Sequence, residues 1–242
     1  MSLTKRDLFI KQIFSTVAPY LDSLSSGFSF GLDHLWRART VADSGIRKGS
    51  QVLDVCTGTG ELAFQLARVV GPSGSVTGAD FCEEMLVRAR NKSNGHYPNI
   101  TFICSDAKSL PFPDKTFDAV TVAFGMRNIP DTALALAEIR RVMKPGGTFV
   151  CLELTRPERA WFRALYEWYV FKVMPFIGNI VVKTAAPYLY LPRSIKAFYP
   201  PEEFRRIIAA CGFTSVSVDS LSMGIATLFR AKNPARDPAP AR

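Results

Sequence analysis

The ten residues from Val52 to Glu61, VLDVCTGTGE, constrain this chain more than any other stretch. They read as a buried strand ending at Asp54, a turn holding Gly58 and Gly60, and a helix entered at Glu61. A doubly wound α/β sheet opens a nucleotide site in this way. Glycine suits the turn because a side chain would hold the backbone away from a ligand, and because a sharp strand-to-helix reversal favours positive φ. The next apolar run, SVTGAD, ends at Asp80, about twenty residues beyond Gly60, the spacing of a carboxylate that takes ribose hydroxyls. The chain is therefore expected to bind an adenosine-type cofactor.

Charge selects which one. Gly58-Thr59-Gly60-Glu61-Leu62-Ala63 fits the loose dinucleotide pattern GxGxxG/A. A pyrophosphate, however, wants free backbone amides and a positive helix end, and here Asp54 precedes the turn while Glu61 sits in the first helical turn. S-adenosylmethionine carries a sulfonium and an ammonium group and no phosphate. Asp54 is assigned to its amino-acid end and Asp80 to its ribose, with Gly58, Gly60 and Phe81 beside them in the cofactor site. Glu61 alone reads better as a favourable charge at a helix start.

The same rhythm continues downstream. Apolar runs over 99–107, 116–126 and 147–154 alternate with segments of helical spacing, over 81–92 and 131–143, so the sheet is expected to be mainly parallel. Lys144-Pro145-Gly146-Gly147 is read as a stop and turn between the second of these helices and the last run. Asp54, Asp80, Asp106 and residues 123–128 fall at strand carboxyl ends, where a crevice forms.

VLDVCTGTGELA, DAKSLPFPDKTFDAVTVAFGMRNIPD, RVMKPGG, YLYLPRSIKAFYP and AACGF together resemble the ubiquinone and menaquinone biosynthesis C-methyltransferases, over about 14–230. LPFPD, TFD and KPGG are common to many class I methyltransferases, whereas FGMRN joined to YLYLPRSI is more specific. The resemblance implies a Rossmann-like methyltransferase fold, S-adenosylmethionine as donor, and methylation of a ring carbon of a prenylated quinol, with demethylmenaquinol as the leading acceptor. It carries cofactor contacts to Thr59, Asp80, Asp106 and Ala107, and to position 123, where relatives often have Ser and this chain has Ala123. Two further departures, Tyr20-Leu21-Asp22-Ser23-Leu24 in place of a YDxxN-like pattern and Phe229 in place of a common His, bear on the acceptor rather than the donor.

Acceptor chemistry singles out Arg127 and Asn128. A quinone is too electron-poor to attack a methyl group; the reduced quinol, as phenolate, is the nucleophile, and a nearby cation stabilises its charge. Arg127 supplies that cation and Asn128 holds a ring oxygen, although a structural role for Arg127 in a strand-end loop is the competing reading. His34, Asp22, Tyr188 and Tyr190 are comparable candidates for a base.

The domain plan follows: a helical N-terminal cover over 1–48, a methyltransferase domain over 49–230 with a cap inserted at about 156–200, and a disordered Pro- and Ala-rich tail over 231–242. The aromatic stretch 161–182 is broken by Pro175 and Gly178 and interrupted by Arg163, Glu167 and Lys172, so a spanning helix is not expected. Trp161, Phe162, Leu165, Trp168, Tyr169 and Phe171 are expected to form either an apolar wall over the cofactor or the core of a helical insertion, and Phe9, Ile13, Phe14 and Val17 one face of an amphipathic N-terminal helix that covers the site or touches lipid. The net charge of +9 favours anionic lipid; no RNA- or DNA-binding motif accompanies it, and nucleic acid is not expected. Five scattered cysteines without CxxC, and no signal-peptide pattern, point to reduced thiols, no metal site and a cytoplasmic enzyme with peripheral contact at the inner membrane face. Oligomeric state is left open. A methyltransferase for another apolar molecule or lipid, and a non-catalytic S-adenosylmethionine-binding protein, are the alternatives.

Overall fold

A computed structural model describes residues 5–182 and 186–235. Its centre is a seven-stranded sheet of β1 (Gln51–Val55), β2 (Ser75–Asp80), β3 (Ile100–Cys104), β4 (Phe117–Ala123), β5 (Met143–Leu154), β6 (Thr214–Leu221) and β7 (Ala226–Lys232), in the order β3-β2-β1-β4-β5-β7-β6. The first five strands run parallel; β7 is antiparallel to β5 and to β6. Val52, Leu53, Asp54 and Val55 of β1 are all buried, the unbroken pattern of a central parallel strand. Chain order reverses on either side of β1, with β2 on one flank and β4 on the other. The carboxyl ends of these strands therefore diverge and leave a crevice.

Helices α4 (Glu61–Val70), α5 (Glu83–Ser93), α6 (Thr132–Val142) and α10 (Pro201–Ala210) pack on the sheet. In α4 the buried residues Leu62, Ala63, Leu66, Ala67 and Val70 recur every three or four positions, an apolar stripe that fixes the helix against β1 and β2. Asp131 caps α6, its carboxylate accepting the Leu134 N–H at 3.0 Å.

Two boundaries differ from the sequence reading. Lys144-Pro145-Gly146-Gly147 does not stand between helix and strand; β5 starts at Met143 and absorbs it as an irregularity, Phe117 pairing with Met143 and Ala119 with Thr148. The expected disordered tail begins too early. Ala231 and Lys232 complete β7, and the buried Asn233 donates its side-chain amide to the Met143 and Lys144 carbonyls, while Gly146 N–H donates to the Asn233 carbonyl. These bonds satisfy the backbone that the irregularity leaves unpaired. Residues 236–242 of that tail lie outside the described residues.

The N-terminal cover comprises α1 (Lys5–Val17), α2 (Leu21–Phe28) and α3 (Leu32–Asp43). Ile10, Ile13 and Val17 form the buried face of α1; Phe9, expected on it, is exposed, because the actual stripe starts one residue later. The cap is α7 (Ala160–Trp168), a π-helical turn (Tyr169–Val173), α8 (Met174–Val182) and α9 (Ala186–Ala197). No helix among the described residues is long and apolar enough to cross a membrane.

Candidate active site

Cover and cap enclose a cavity of about 600 Å³ over the strand ends. Asp54, Gly58, Thr59, Asp80, Phe81, Asp106, Ala107, Ala123, Arg127 and Asn128 all line it, as do the cap residues Phe162, Leu165, Trp168 and Tyr169. Gly60 does not. It holds the turn in the left-handed region at φ +86°, and an added Cβ would stand 3.1 Å from ring carbons of Phe64 and Phe102. Its requirement for glycine is conformational and steric rather than ligand-facing. Trp161 and Phe171 likewise stand outside the cavity wall and are exposed. His34 is exposed and bonded to Ser26 at 2.9 Å, away from the cavity, which removes it as a base there. The Tyr188 side chain lies outside the described residues. Phe229 is core, its ring perpendicular to that of Phe204 at 4.8 Å, so that departure concerns packing and not the acceptor.

At one end of the cavity two carboxylates are held by neutral donors. Asp54 accepts the Thr57 and Thr121 hydroxyls, each at 2.7 Å. Asp80 accepts the backbone N–H groups of Gly58 at 2.8 Å and Cys82 at 2.9 Å. Burial pushes both up to about 6, against the lowering effect of those hydrogen bonds. Each carboxylate oxygen keeps a lone pair beyond the bond it accepts. A ligand bringing positive charge and hydroxyls would relieve both groups, and at Gly58 the Cβ position meets nothing within 4 Å. These features fit S-adenosylmethionine.

Arg37 stands in the same part of the wall and was not marked by any sequence motif. It pairs with the buried Asp33 and lies 5.3 Å over the Phe124 ring, and its charge lowers the pKa of Asp54. Asp22 of α2 accepts the Thr59 hydroxyl, and Lys92 bridges Asp22 at 2.9 Å and Glu61 at 2.7 Å. The cover is thus clasped to the glycine turn. Thr59 spends its hydroxyl on that clasp, leaving its backbone to a cofactor.

The FGMRN segment builds the other end. Phe124 adopts φ +59°, and Gly125 backs onto Cys56 so closely that a Cβ there would lie 2.3 Å from the Cys56 Cβ. The Phe124 carbonyl so placed accepts Arg127 Nη1 and, at 3.4 Å, Asn128 Nδ2. Arg127 Nη1 also pairs with Glu153 at the end of β5; the Arg127 side chain is 7% exposed and that of Glu153 0%. Glu153 further accepts the backbone N–H groups of Arg127 and Leu154. Arg127 Nε is buried without a partner, and Nη1 is committed, so Nη2 is the edge left for a ligand. Tyr190, from α9, donates to Asn128 Oδ1 at 2.9 Å, and burial raises the pKa of both Tyr166 and Tyr190 beside Arg127. Glu153 went unmarked in the sequence reading; its one signal is a single charge in the apolar run GTFVCLEL.

A model of the ubiE/COQ5 methyltransferase family matches residues 2–233. Demethylmenaquinone methyltransferase of Staphylococcus aureus is 40% identical over 219 residues, 90% of each chain. Among solved structures, a SAM-dependent methyltransferase from Aquifex aeolicus superposes with a TM-score of 0.61 at 24% identity, covering 81% of this chain and 88% of that one. The cyclase SpnF superposes with a TM-score of 0.73 at 18% identity, covering 98% of each chain. Likeness at such identities establishes the fold, which hosts more than one chemistry, so the reaction has to be argued from the site.

Proposed function

The chain belongs to the ubiE/COQ5 methyltransferase family and is an S-adenosylmethionine-dependent methyltransferase, and we propose that it methylates a ring carbon of a prenylated quinol, namely demethylmenaquinol. The observation that carries this reading is one cavity joining two poised carboxylates at the strand ends to an Arg–Asn pair under an apolar cap. The donor supplies an activated sulfonium methyl. Asp54 and Arg37 take the ammonium and carboxylate of its amino-acid end, and Asp80 its ribose hydroxyls. Backbone at Gly58, Phe81, Asp106, Ala107 and Ala123 completes that half of the site.

On the acceptor side, Arg127 Nη2 and the remaining N–H of Asn128 hold a ring oxygen. Because Glu153 offsets the guanidinium charge, Arg127 acts as a fixed hydrogen-bond donor toward the developing phenolate more than as a free cation. Tyr190 fixes the Asn128 amide by accepting nothing from it and donating to its oxygen. S-adenosylmethionine, when bound, would supply the methyl and leave as S-adenosylhomocysteine, and the proton displaced from the ring carbon would pass to water. Closure of the site excludes water, and orientation of the two partners supplies most of the acceleration. The acceptor is a lipid-soluble molecule, so the enzyme works at the cytoplasmic membrane surface.

Transfer of label from methyl-labelled S-adenosylmethionine into a chemically reduced demethylated naphthoquinol tests this directly. Label should enter the quinol and not the oxidised quinone. Labelling of a different lipid fraction alone would assign another acceptor, and donor binding without turnover on any extract would make the protein a non-catalytic binder.

The clasp gives a smaller effect. Asp22→Ala should weaken donor affinity about three- to fivefold by calorimetry, since it removes one partly exposed ion pair, to Lys92, and the Thr59 hydrogen bond, together about 1 kcal/mol. Unchanged affinity and dissociation rate would show that the cover does not hold the donor.

A further inference from the structure

Exposed large apolar side chains are not scattered over this protein. Among the described residues sixteen are exposed, and only Val69, Val87 and Met223 belong to the α/β core. All the others stand on the cover and the cap, the elements that enclose the cavity. Phe30, Leu165 and Trp168 both line the cavity and are 81%, 55% and 59% exposed, so they form its rim. Tyr169 ties the two sides of that rim together, donating its hydroxyl to the Phe28 carbonyl at 3.1 Å.

From this rim an apolar stripe continues along the cap. Trp161, Leu165 and Trp168 repeat at helical intervals on α7; after the π-helical turn, which inserts one residue into the helical repeat, Phe176 and Ile180 extend it on α8 at 70% and 64% exposure. Contiguous apolar surface of this kind, with no spanning helix among the described residues, marks a contact surface. Its charge setting identifies the contact. Arg159 precedes the stripe and Lys172 stands within it between Trp168 and Phe176, where its long stem lets the ammonium reach headgroups; Lys5 and Arg6 open α1 beside the exposed Leu8 and Phe9, and all four basic residues are exposed on a chain of net charge +9. An interfacial helix with tryptophan and phenylalanine on its apolar face and lysine and arginine at its margins matches an anionic bilayer surface.

The structure assigns the Phe30–Leu165–Trp168 rim and the Trp161–Phe176–Ile180 stripe to insertion among the acyl chains of an anionic bilayer, so that the cavity mouth opens into lipid. This rests on the quinol reading above and deepens it. The prenyl tail need never enter water: the ring tips from the bilayer into the cavity while the tail stays among acyl chains across the rim. A cavity of about 600 Å³ that also holds the donor has room for the ring and the first part of a tail, and no need to hold the rest.

The three tryptophans report on this without labels. Trp36 is buried, whereas Trp161 and Trp168 are exposed on the proposed face. The full-length protein is mixed with vesicles of phosphatidylglycerol and phosphatidylcholine, without quinol, carrying bromine on the upper part of the acyl chains. More than half of the tryptophan emission should be quenched, and Trp161→Phe with Trp168→Phe should abolish most of that quenching while vesicle binding persists. Phe176→Glu with Ile180→Glu, outside the cavity wall, should lower vesicle partitioning at least tenfold and leave methylation of a short-tailed, water-soluble quinol unchanged. Vesicle binding without quenching, or blue-shifted emission that follows protein concentration in the absence of lipid, would overturn the inference, the latter in favour of a second copy of the chain on this face. Methylation of the water-soluble quinol in the absence of vesicles is independent of it. Turnover without quenching removes the lipid face alone, and quenching without turnover removes the quinol reading alone.

Discussion

Arg127→Met should lower the methylation rate about 100-fold or more, the usual cost of removing a preorganised donor at developing charge, while donor affinity changes little. The same substitution leaves Glu153 fully buried without its ion partner, which should destabilise the fold by roughly 3 kcal/mol. The two effects separate in a double variant. Arg127→Met with Glu153→Gln removes the orphaned charge and keeps an oxygen for one of the backbone N–H groups of residues 127 and 154, which donate to separate oxygens of Glu153, so about half of the lost stability should return in denaturant melts. The rate should stay down. If rate and stability recover together, Arg127 serves the fold and the phenolate is stabilised elsewhere. Arg127→Lys should recover only part of the rate, because it lacks the planar fork that serves Glu153 and a ring oxygen at once.

Asp80→Ala should weaken S-adenosylmethionine binding by roughly 1.5–3 kcal/mol, ten- to about 150-fold, through loss of charge-assisted bonds to the ribose. Asp80→Asn separates this from simple damage to the loop. The ordinary carboxyl value is 3.8, and burial raises Asp80 to about 6 in the folded protein. A raised acid stabilises the fold when protonated; that contribution is complete below 3.8 and is lost as pH rises through 6. At pH 8 the ligand-free protein therefore carries a buried charge that asparagine removes, and Asp80→Asn should melt at a higher temperature than the natural protein at pH 8 but not at pH 4. Its donor affinity should fall at pH 8 and match that of the natural protein at pH 4, where Asp80 is already protonated. By the same linkage, donor affinity of the natural protein should decline below pH 6, where Asp54 and Asp80 take up protons. Flat affinity from pH 8 to 5 would remove both carboxylates from the donor site.

The donor half of the site was readable because it is built from neighbours in sequence. A strand, a glycine turn and a helix start lie within Val52–Glu61, and the second carboxylate ends the next strand, so local periodicity and spacing place Asp54, Gly58 and Asp80 at one sheet end. The same local logic read FGMRN as a strand-end segment. It could not see that Gly60 turns away toward Phe64 and Phe102, because ring packing from β3 and α4 decides that. Nor could it start the α1 stripe at Ile10 instead of Phe9, or carry β7 through Lys232, where pairing with Thr148 and Thr214 outweighs composition.

The acceptor half, and the clasp of the cover on the donor turn, were decided by partners far apart in the chain. Arg127 meets Glu153 across 26 positions, Thr59 meets Asp22 across 37, and Asn128 meets Tyr190 across 62. Periodicity reports which face of an element is apolar, and the motif places Arg127 at a strand end. Whether its charge is free or neutralised depends on which strand lies beside it. The β4–β5 pairing brings Glu153 there, and that pairing turns a cation expected from the sequence into a neutralised, rigidly held hydrogen-bond donor.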